Sequence, residues 1–162
     1  MELHVKYENG ERSGRDCKMK KKKRIALVAH DQRKKDLLSW VEYNADALSK
    51  HELYATGTTG KIIAEACSID IHRLKSGPLG GDQQLGAMIA NGELDMLIFL
   101  WDPMTSQPHD VDIKALLRMS VLYNIPVACN RSTADFIISS SLSDEEYDPI
   151  VRDYSQYLSR ET

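Results

Sequence analysis

Short apolar stretches recur along this chain, and each gives way to a polar or glycine-containing segment and then to a stretch of helical period. Arg24–Asp31 reads as a strand ending in His-Asp. Leu53–Gly57 reads as a short strand and Ile69–Ser76 as a weaker one. Leu94–Trp101 is a strongly apolar strand ending at Asp102-Pro103, and Pro126–Cys129 is a fifth. Helical period is predicted over 33–49, with Leu37, Leu38, Val41, Ala45 and Leu48 on one face, and over 58–68, 82–91, 109–123 and 133–140. Alternating strands and helices, with strands apolar on both sides, predict an α/β fold. The expected architecture is a single-domain, open, parallel five-stranded sheet with helices on both faces, of Rossmann-like type. Ligands of such sheets bind beyond the carboxyl ends of the strands. His30-Asp31, Thr56–Gly60, Ser76-Gly77, Asp102 and Asn130 are therefore expected around one crevice.

Charge divides the chain unevenly. Residues 1–24 carry nine Lys or Arg and four Asp or Glu, whereas the remainder carries twelve and twenty. Residues 1–22 have little apolar content and read as a flexible basic extension, leaving the domain at 23–162. Lys20-Lys21-Lys22-Lys23-Arg24 could meet nucleic acid, but an acidic body argues against a nucleic-acid-binding domain. The longest apolar run, Met96–Trp101, is six residues, far below the roughly 20 a membrane helix needs. No membrane partner is expected. No secretory signal is legible, and Cys17, Cys67 and Cys129 are odd in number and irregularly spaced. A reducing, cytoplasmic setting is the simplest expectation.

Thr56-Gly57-Thr58-Thr59-Gly60 joins a strand to a helix. Glycine permits close backbone approach, the helix start offers amide N–H groups, and the threonines add hydroxyl donors. The segment suits a phosphate, although a tight turn with an N-cap would also use these residues. It lacks the Gly-Lys-Ser/Thr of a nucleotide loop and the Gly-x-Gly-x-x-Gly of a dinucleotide site. A small phosphorylated ligand fits better, with Lys34 a candidate countercharge. Ser76-Gly77-Pro78-Leu79-Gly80-Gly81 forms a dense glycine loop before Asp82, which either caps the next helix or faces the crevice. Asp102 ends the most buried strand, where an Asx-turn is the bland explanation. Asp110 and Asp112 could simply cap the helix that follows His109. A helix N-terminus is expected to keep His109 neutral, able to donate and accept protons. No segment has metal-ligand spacing, and no cofactor is expected. A carboxylate base beside a neutral imidazole and a phosphate cradle suits proton abstraction next to a carbonyl.

These segments resemble methylglyoxal synthase from about Lys23 to Leu158. The resemblance is carried by Ile25–Asp31, Tyr54–Gly60, Ser76–Gln84, Phe99–Pro103, Pro108–Arg118 and Asn124–Pro126. The allosteric domain of carbamoyl-phosphate synthetase resembles the same fold but does not carry the whole aspartate and histidine set. The resemblance implies conversion of dihydroxyacetone phosphate to methylglyoxal and inorganic phosphate, with neither metal nor coenzyme. It implies Asp82 as catalytic base and His109 as proton shuttle and substrate ligand, with Asp102 and Asp112 in support. His30, Lys34, Thr56, Gly57, Thr58, Thr59, Ser76 and Gly77 are implied to bind substrate, mainly its phosphate. A cytosolic homohexamer inhibited by phosphate is also implied. Cys129 replaces a threonine usual in the family, and Arg160 stands near a C-terminal arginine that reaches a neighbouring subunit. The rival reading is a non-catalytic regulatory domain that senses a phosphorylated metabolite, and a third is a metal phosphatase.

Overall fold

From Ile25 to Ala29 and from Met96 to Leu100 every residue is apolar and buried, as strands covered on both faces must be. The computed structural model describes residues 18–152 and Tyr154. Its sheet holds five strands, β1 (Arg24–Ala29), β2 (Glu52–Ala55), β3 (His72–Arg73), β4 (Met96–Leu100) and β5 (Val127–Ala128). All pairings are parallel and the spatial order is β3-β2-β1-β4-β5. The helices are α1 (Lys34–Tyr43), α2 (Ala45–Leu48), α3 (Gly57–Cys67), α4 (Gly81–Ala90), α5 (Asp110–Leu122) and α6 (Arg131–Ser139).

Strand side chains alternate between faces, and the core divides accordingly. Ile25, Leu27 and Ala29 pack with Leu37, Trp40 and Val41 of α1, Ile63 of α3 and Ala134 of α6. Ala26 and Val28 pack with Leu85 and Ile89 of α4 and with Ile113 and Leu116 of α5. Trp40 is 1% exposed, and its indole N–H donates to Asp135 Oδ1 at 2.8 Å, tying α1 to α6. Truncating so large a buried side chain typically costs about 3–5 kcal/mol. The doubly covered parallel sheet agrees with the fold class read from the sequence.

Several boundaries differ from the sequence reading. The helix expected over 33–49 breaks at Asn44, whose side-chain amide donates to the Trp40 carbonyl at 2.8 Å and ends α1. The weak strand at 69–76 contracts to two paired residues at the sheet edge. The last helix starts at Arg131, because Asn130 Oδ1 accepts the Thr133 N–H at 2.9 Å and caps it. Of the basic extension expected over 1–22, residues 1–17 lie outside the described residues, and the rest is not simply solvated. Met19 is 2% exposed and pairs antiparallel with Tyr147. Lys23 is fully buried, and its ammonium donates to the carbonyls of Lys20 and Glu145. Among the described residues, no helix is long and apolar enough to cross a membrane.

Candidate active site

The sheet order reverses between β1 and β4, the position where doubly wound folds open a crevice. His30 follows β1 and Asp102 follows β4 closely. The His30 N–H donates to the Leu100 carbonyl at 3.3 Å, and the Asp102 N–H donates to His30 Nδ1 at 3.2 Å. A neutral imidazole accepting at Nδ1 carries its proton on Nε2. That Nε2 is buried and has no protein partner. The ring is edge-on to Phe99, with centroids 5.2 Å apart. Burial pushes the His30 pKa below its ordinary value, outweighing the negative charges of Asp102 and Asp110, which act in the other direction.

The glycine loop brings a carboxylate to the same place. Gly80 has a φ of 99°, a left-handed turn that suits glycine, and α4 begins immediately after it. A Cβ on Gly81 would lie 2.2 Å from the Lys75 carbonyl oxygen, so only glycine lets the loop pass the helix start. Asp82 is the second residue of α4, is 4% exposed, and does not cap the helix. Its Oδ2 has no hydrogen-bond partner and lies 3.6 Å from Nε2 of His109. Burial raises the Asp82 pKa. The nearby His109 opposes that rise, Asp112 adds to it, and His30 opposes it. Gly77 completes the contact, since a Cβ there would stand 2.9 Å from His109 Nε2 and 3.1 Å from Asp82 Oδ2. His109 immediately precedes α5, and its Nδ1 is buried without a partner. Its ring meets that of His30 edge-on at 6.3 Å.

The threonine-glycine turn abuts this cluster. Thr56 is the N-cap of α3 without a side-chain capping bond. The first turn of a helix leaves amide N–H groups without intrahelical partners. The Gly57 N–H donates to the Lys75 carbonyl at 3.1 Å, and a Cβ on Gly57 would lie 3.0 Å from the Ser76 nitrogen. Thr59 is 3% exposed, and its Oγ1 has no partner. Thr58 is exposed. The contact path thus runs from Gly57 through Ser76 and Gly77 to Asp82, His109 and His30.

Other sequence candidates are placed differently. Lys34 Nζ pairs with Asp31 Oδ1 at 2.6 Å, which lowers the Asp31 pKa, and among the described residues no hydrogen bond or ion pair joins it to the threonine turn. The Asp102 carboxylate is engaged by its own loop. Hydrogen bonds from the Thr105 side chain and the Met104 N–H hold its pKa down. Asp112 is half-buried and reaches the cluster through its charge on Asp82. Asp110 Oδ2 accepts from Ser106 Oγ at 3.3 Å. Among the described residues, no three His, Cys, Asp or Glu side chains form a group that could hold a metal ion. Phe99, Thr105 and Gln84 were not singled out by sequence reasoning. The Asp82-Gln83-Gln84 run was visible, but the partner of Gln84, the Lys75 N–H at 2.8 Å, was not.

Residues 36–129 match the model of the MGS-like domain family. A methylglyoxal synthase of Leptospira interrogans is 57% identical over 139 residues, which cover 86% of this chain and 94% of that protein. The chain belongs to the methylglyoxal synthase family. A methylglyoxal synthase of Oleidesulfovibrio alaskensis is 59% identical over 143 residues, 88% of this chain and 97% of that one. The crystal structure of methylglyoxal synthase from Elizabethkingia anophelis has a TM-score of 0.86 at 52% identity, covering 90% of this chain and 95% of its own. The family is one of lyases, and the fold expected from the resemblance is the fold of that structure.

Proposed function

We propose that this chain is a lyase that converts dihydroxyacetone phosphate to methylglyoxal and inorganic phosphate. The observation that carries the reading is the buried, unpartnered Asp82 Oδ2 lying 3.6 Å from His109 Nε2 beside a glycine. A sensor of a phosphorylated metabolite has no need of a desolvated carboxylate with raised basicity.

Asp82 removes a proton from the hydroxymethyl carbon, and the electron pair delocalises onto the ketone oxygen to give an enediolate. Burial makes Asp82 a stronger base. His109, and His30 through its Nε2–H, face the developing oxygen charges, with His109 moving protons between them. The C–O bond to phosphate then breaks, and the enol that departs becomes methylglyoxal with no water consumed. That bond must stand roughly perpendicular to the enediolate plane, so the phosphate has to be held out of plane. Thr56, Thr58, Thr59, Ser76 and Gly77 supply the donors that hold it, and Gly57, whose own N–H is taken by Lys75, binds by letting the backbone close on Ser76. Lys34, drawn from Asp31, adds countercharge. Asp112 raises the basicity of Asp82, and Asp102 fixes His30 through its backbone.

The same reading includes a cytoplasmic homohexamer in which inorganic phosphate, as product, inhibits at the cradle. Strongly exposed Val111 and Val121 on α5 and Phe136 on α6 supply apolar surface for association. The test is incubation with dihydroxyacetone phosphate followed by separate assays for methylglyoxal, phosphate and dihydroxyacetone. Equal methylglyoxal and phosphate are expected, unchanged after exhaustive chelation. Phosphate with dihydroxyacetone would mean a phosphatase, and binding without turnover would mean a sensor.

A further inference from the structure

Lys75 holds two parts of the site together through its backbone. Its carbonyl accepts the N–H of Gly57, the first residue of α3, at 3.1 Å. Its N–H donates to the side chain of Gln84, at Oε1, across 2.8 Å. Gln84 lies on α4 two residues beyond Asp82, and its side chain is turned to the exposed side of that helix. The backbone of one residue therefore joins the phosphate cradle to the helix that carries the base. The fit between them is close: the Lys75 carbonyl oxygen would stand 2.2 Å from a Cβ on Gly81, and the Ser76 carbonyl accepts the Gly81 N–H at 2.9 Å. Among these contacts, the Gln84 bond alone is made by a side chain.

We propose that Gln84 is a positioning residue that sets the distance and angle between Asp82 and the phosphate cradle, and thereby the partition of the enediolate. This rests on the reaction proposed above. The enediolate has two exits. It can be reprotonated at carbon, which returns substrate with a solvent-derived hydrogen, or it can expel phosphate. Proton removal needs only Asp82 near the carbon. Expulsion needs, in addition, the cradle to hold the phosphate out of the enediolate plane. Loosening the cradle relative to α4 leaves the first step and impairs the second. Gln84 prevents that loosening without contacting substrate.

The experiment follows two rates in deuterated buffer, deuterium uptake into recovered dihydroxyacetone phosphate and formation of methylglyoxal. It compares wild type, Gln84→Ala and Gln84→Glu. Glutamate retains an acceptor oxygen at the same reach for the Lys75 N–H, and alanine removes it. Gln84→Ala is expected to raise the ratio of exchange to elimination by at least about threefold, the scale of one exposed hydrogen bond. KM should rise in parallel, and Gln84→Glu should return the ratio to near the wild-type value. A Gln84→Ala enzyme in which both rates fall together, or neither changes, would overturn the proposal. So would a Gln84→Glu enzyme with the same altered ratio as alanine. A wild-type protein that forms no methylglyoxal would instead overturn the underlying reaction, so the two failures are distinct.

Discussion

Asp102 donates its backbone N–H to Nδ1 of His30 across 3.2 Å, joining the ends of two adjacent parallel strands where the sheet order reverses. The bond places a donor against one ring nitrogen and leaves the other, Nε2, buried and free to donate to a ligand. Protonating Nδ1 would break this bond and set two donors against each other. The histidine nearest the switch point is thus built to remain neutral.

The first prediction concerns that ring. Burial holds the folded pKa values of His30 and His51 below the ordinary 6.5. The unfolded chain then binds protons that the folded chain refuses. The stability associated with both groups is fully present above 6.5 and is lost as pH falls from there through their lowered folded values. Nitrogen-resolved spectra of labelled histidine should show His30 as the Nε2–H tautomer at pH 6.5. Melting temperature should fall between pH 6.5 and 5, with a shallower fall in His51→Asn. A protonated His30 at pH 6.5 would contradict the assignment.

Two glycines should separate activity from stability. Alanine at Gly81 meets backbone, the Lys75 carbonyl oxygen at 2.2 Å, and backbone cannot yield cheaply. Alanine at Gly77 meets the ends of two side chains, His109 Nε2 at 2.9 Å and Asp82 Oδ2 at 3.1 Å, and these can swing aside. Gly81→Ala is therefore expected to lower thermal stability. Gly77→Ala should keep nearly the wild-type melting temperature while losing about 10²-fold in turnover, on the scale of misplaced catalytic groups. Melting curves and steady-state rates on both variants check this, and the reverse assignment would refute it.

The fold was legible because its strands are apolar on both sides and its helices carry a clear period, and both signals are local. Asn44 was not, since its side chain takes the Trp40 carbonyl inside an otherwise unbroken apolar stripe. Nor was the contraction of the edge strand to His72–Arg73, which depends on what Tyr54 and Ala55 of β2 can pair. For the site, the parallel sheet predicted that the loops carrying His30, Gly57, Ser76 and Asp102 converge, whereas the side chain of Asn130, expected with them, caps α6. Which atoms meet depends on packing between distant segments. The glycine density around Asp82 was visible, whereas the reason for Gly81 in particular lies in the path of Lys75. Asp102 illustrates the same limit. Its place at the end of the most buried strand was foreseen, but its carboxylate is engaged by Thr105 and Met104, and it is its backbone that meets a histidine.

Thr59 offers a trade between stability and binding. Its hydroxyl is buried without a partner, which is a cost to the folded state. Thr59→Val keeps the shape and removes that cost. The melting temperature should hold or rise, while KM for dihydroxyacetone phosphate and the inhibition constant of inorganic phosphate both rise about tenfold, the scale of a lost hydrogen bond to a charged group. An unchanged KM, with an unchanged phosphate constant, would remove Thr59 from the phosphate cradle.

Met19 ties the start of the described chain to Tyr147 and is 2% exposed. Met19→Ala should destabilise by about 2 kcal/mol, the low end for a buried methionine. Its kcat should remain near wild type, because the residue pairs with Tyr147, outside the Asp82 and His109 cluster. Denaturant unfolding measures the first, and initial rates the second. An unaltered midpoint would leave Met19 a surface residue.

Asp82→Asn keeps the size of the side chain and removes its basicity. As Asp82 makes no capping bond in α4, the variant should fold normally and still bind inorganic phosphate. The measurement is deuterium uptake from solvent into the hydroxymethyl carbon of dihydroxyacetone phosphate, followed together with methylglyoxal release. With Asp82 as base, both rates should fall together by about 10²–10⁴-fold, the usual contribution of a general base. Uptake at the wild-type rate in a folded, phosphate-binding Asp82→Asn protein would contradict the account and place the base on another residue.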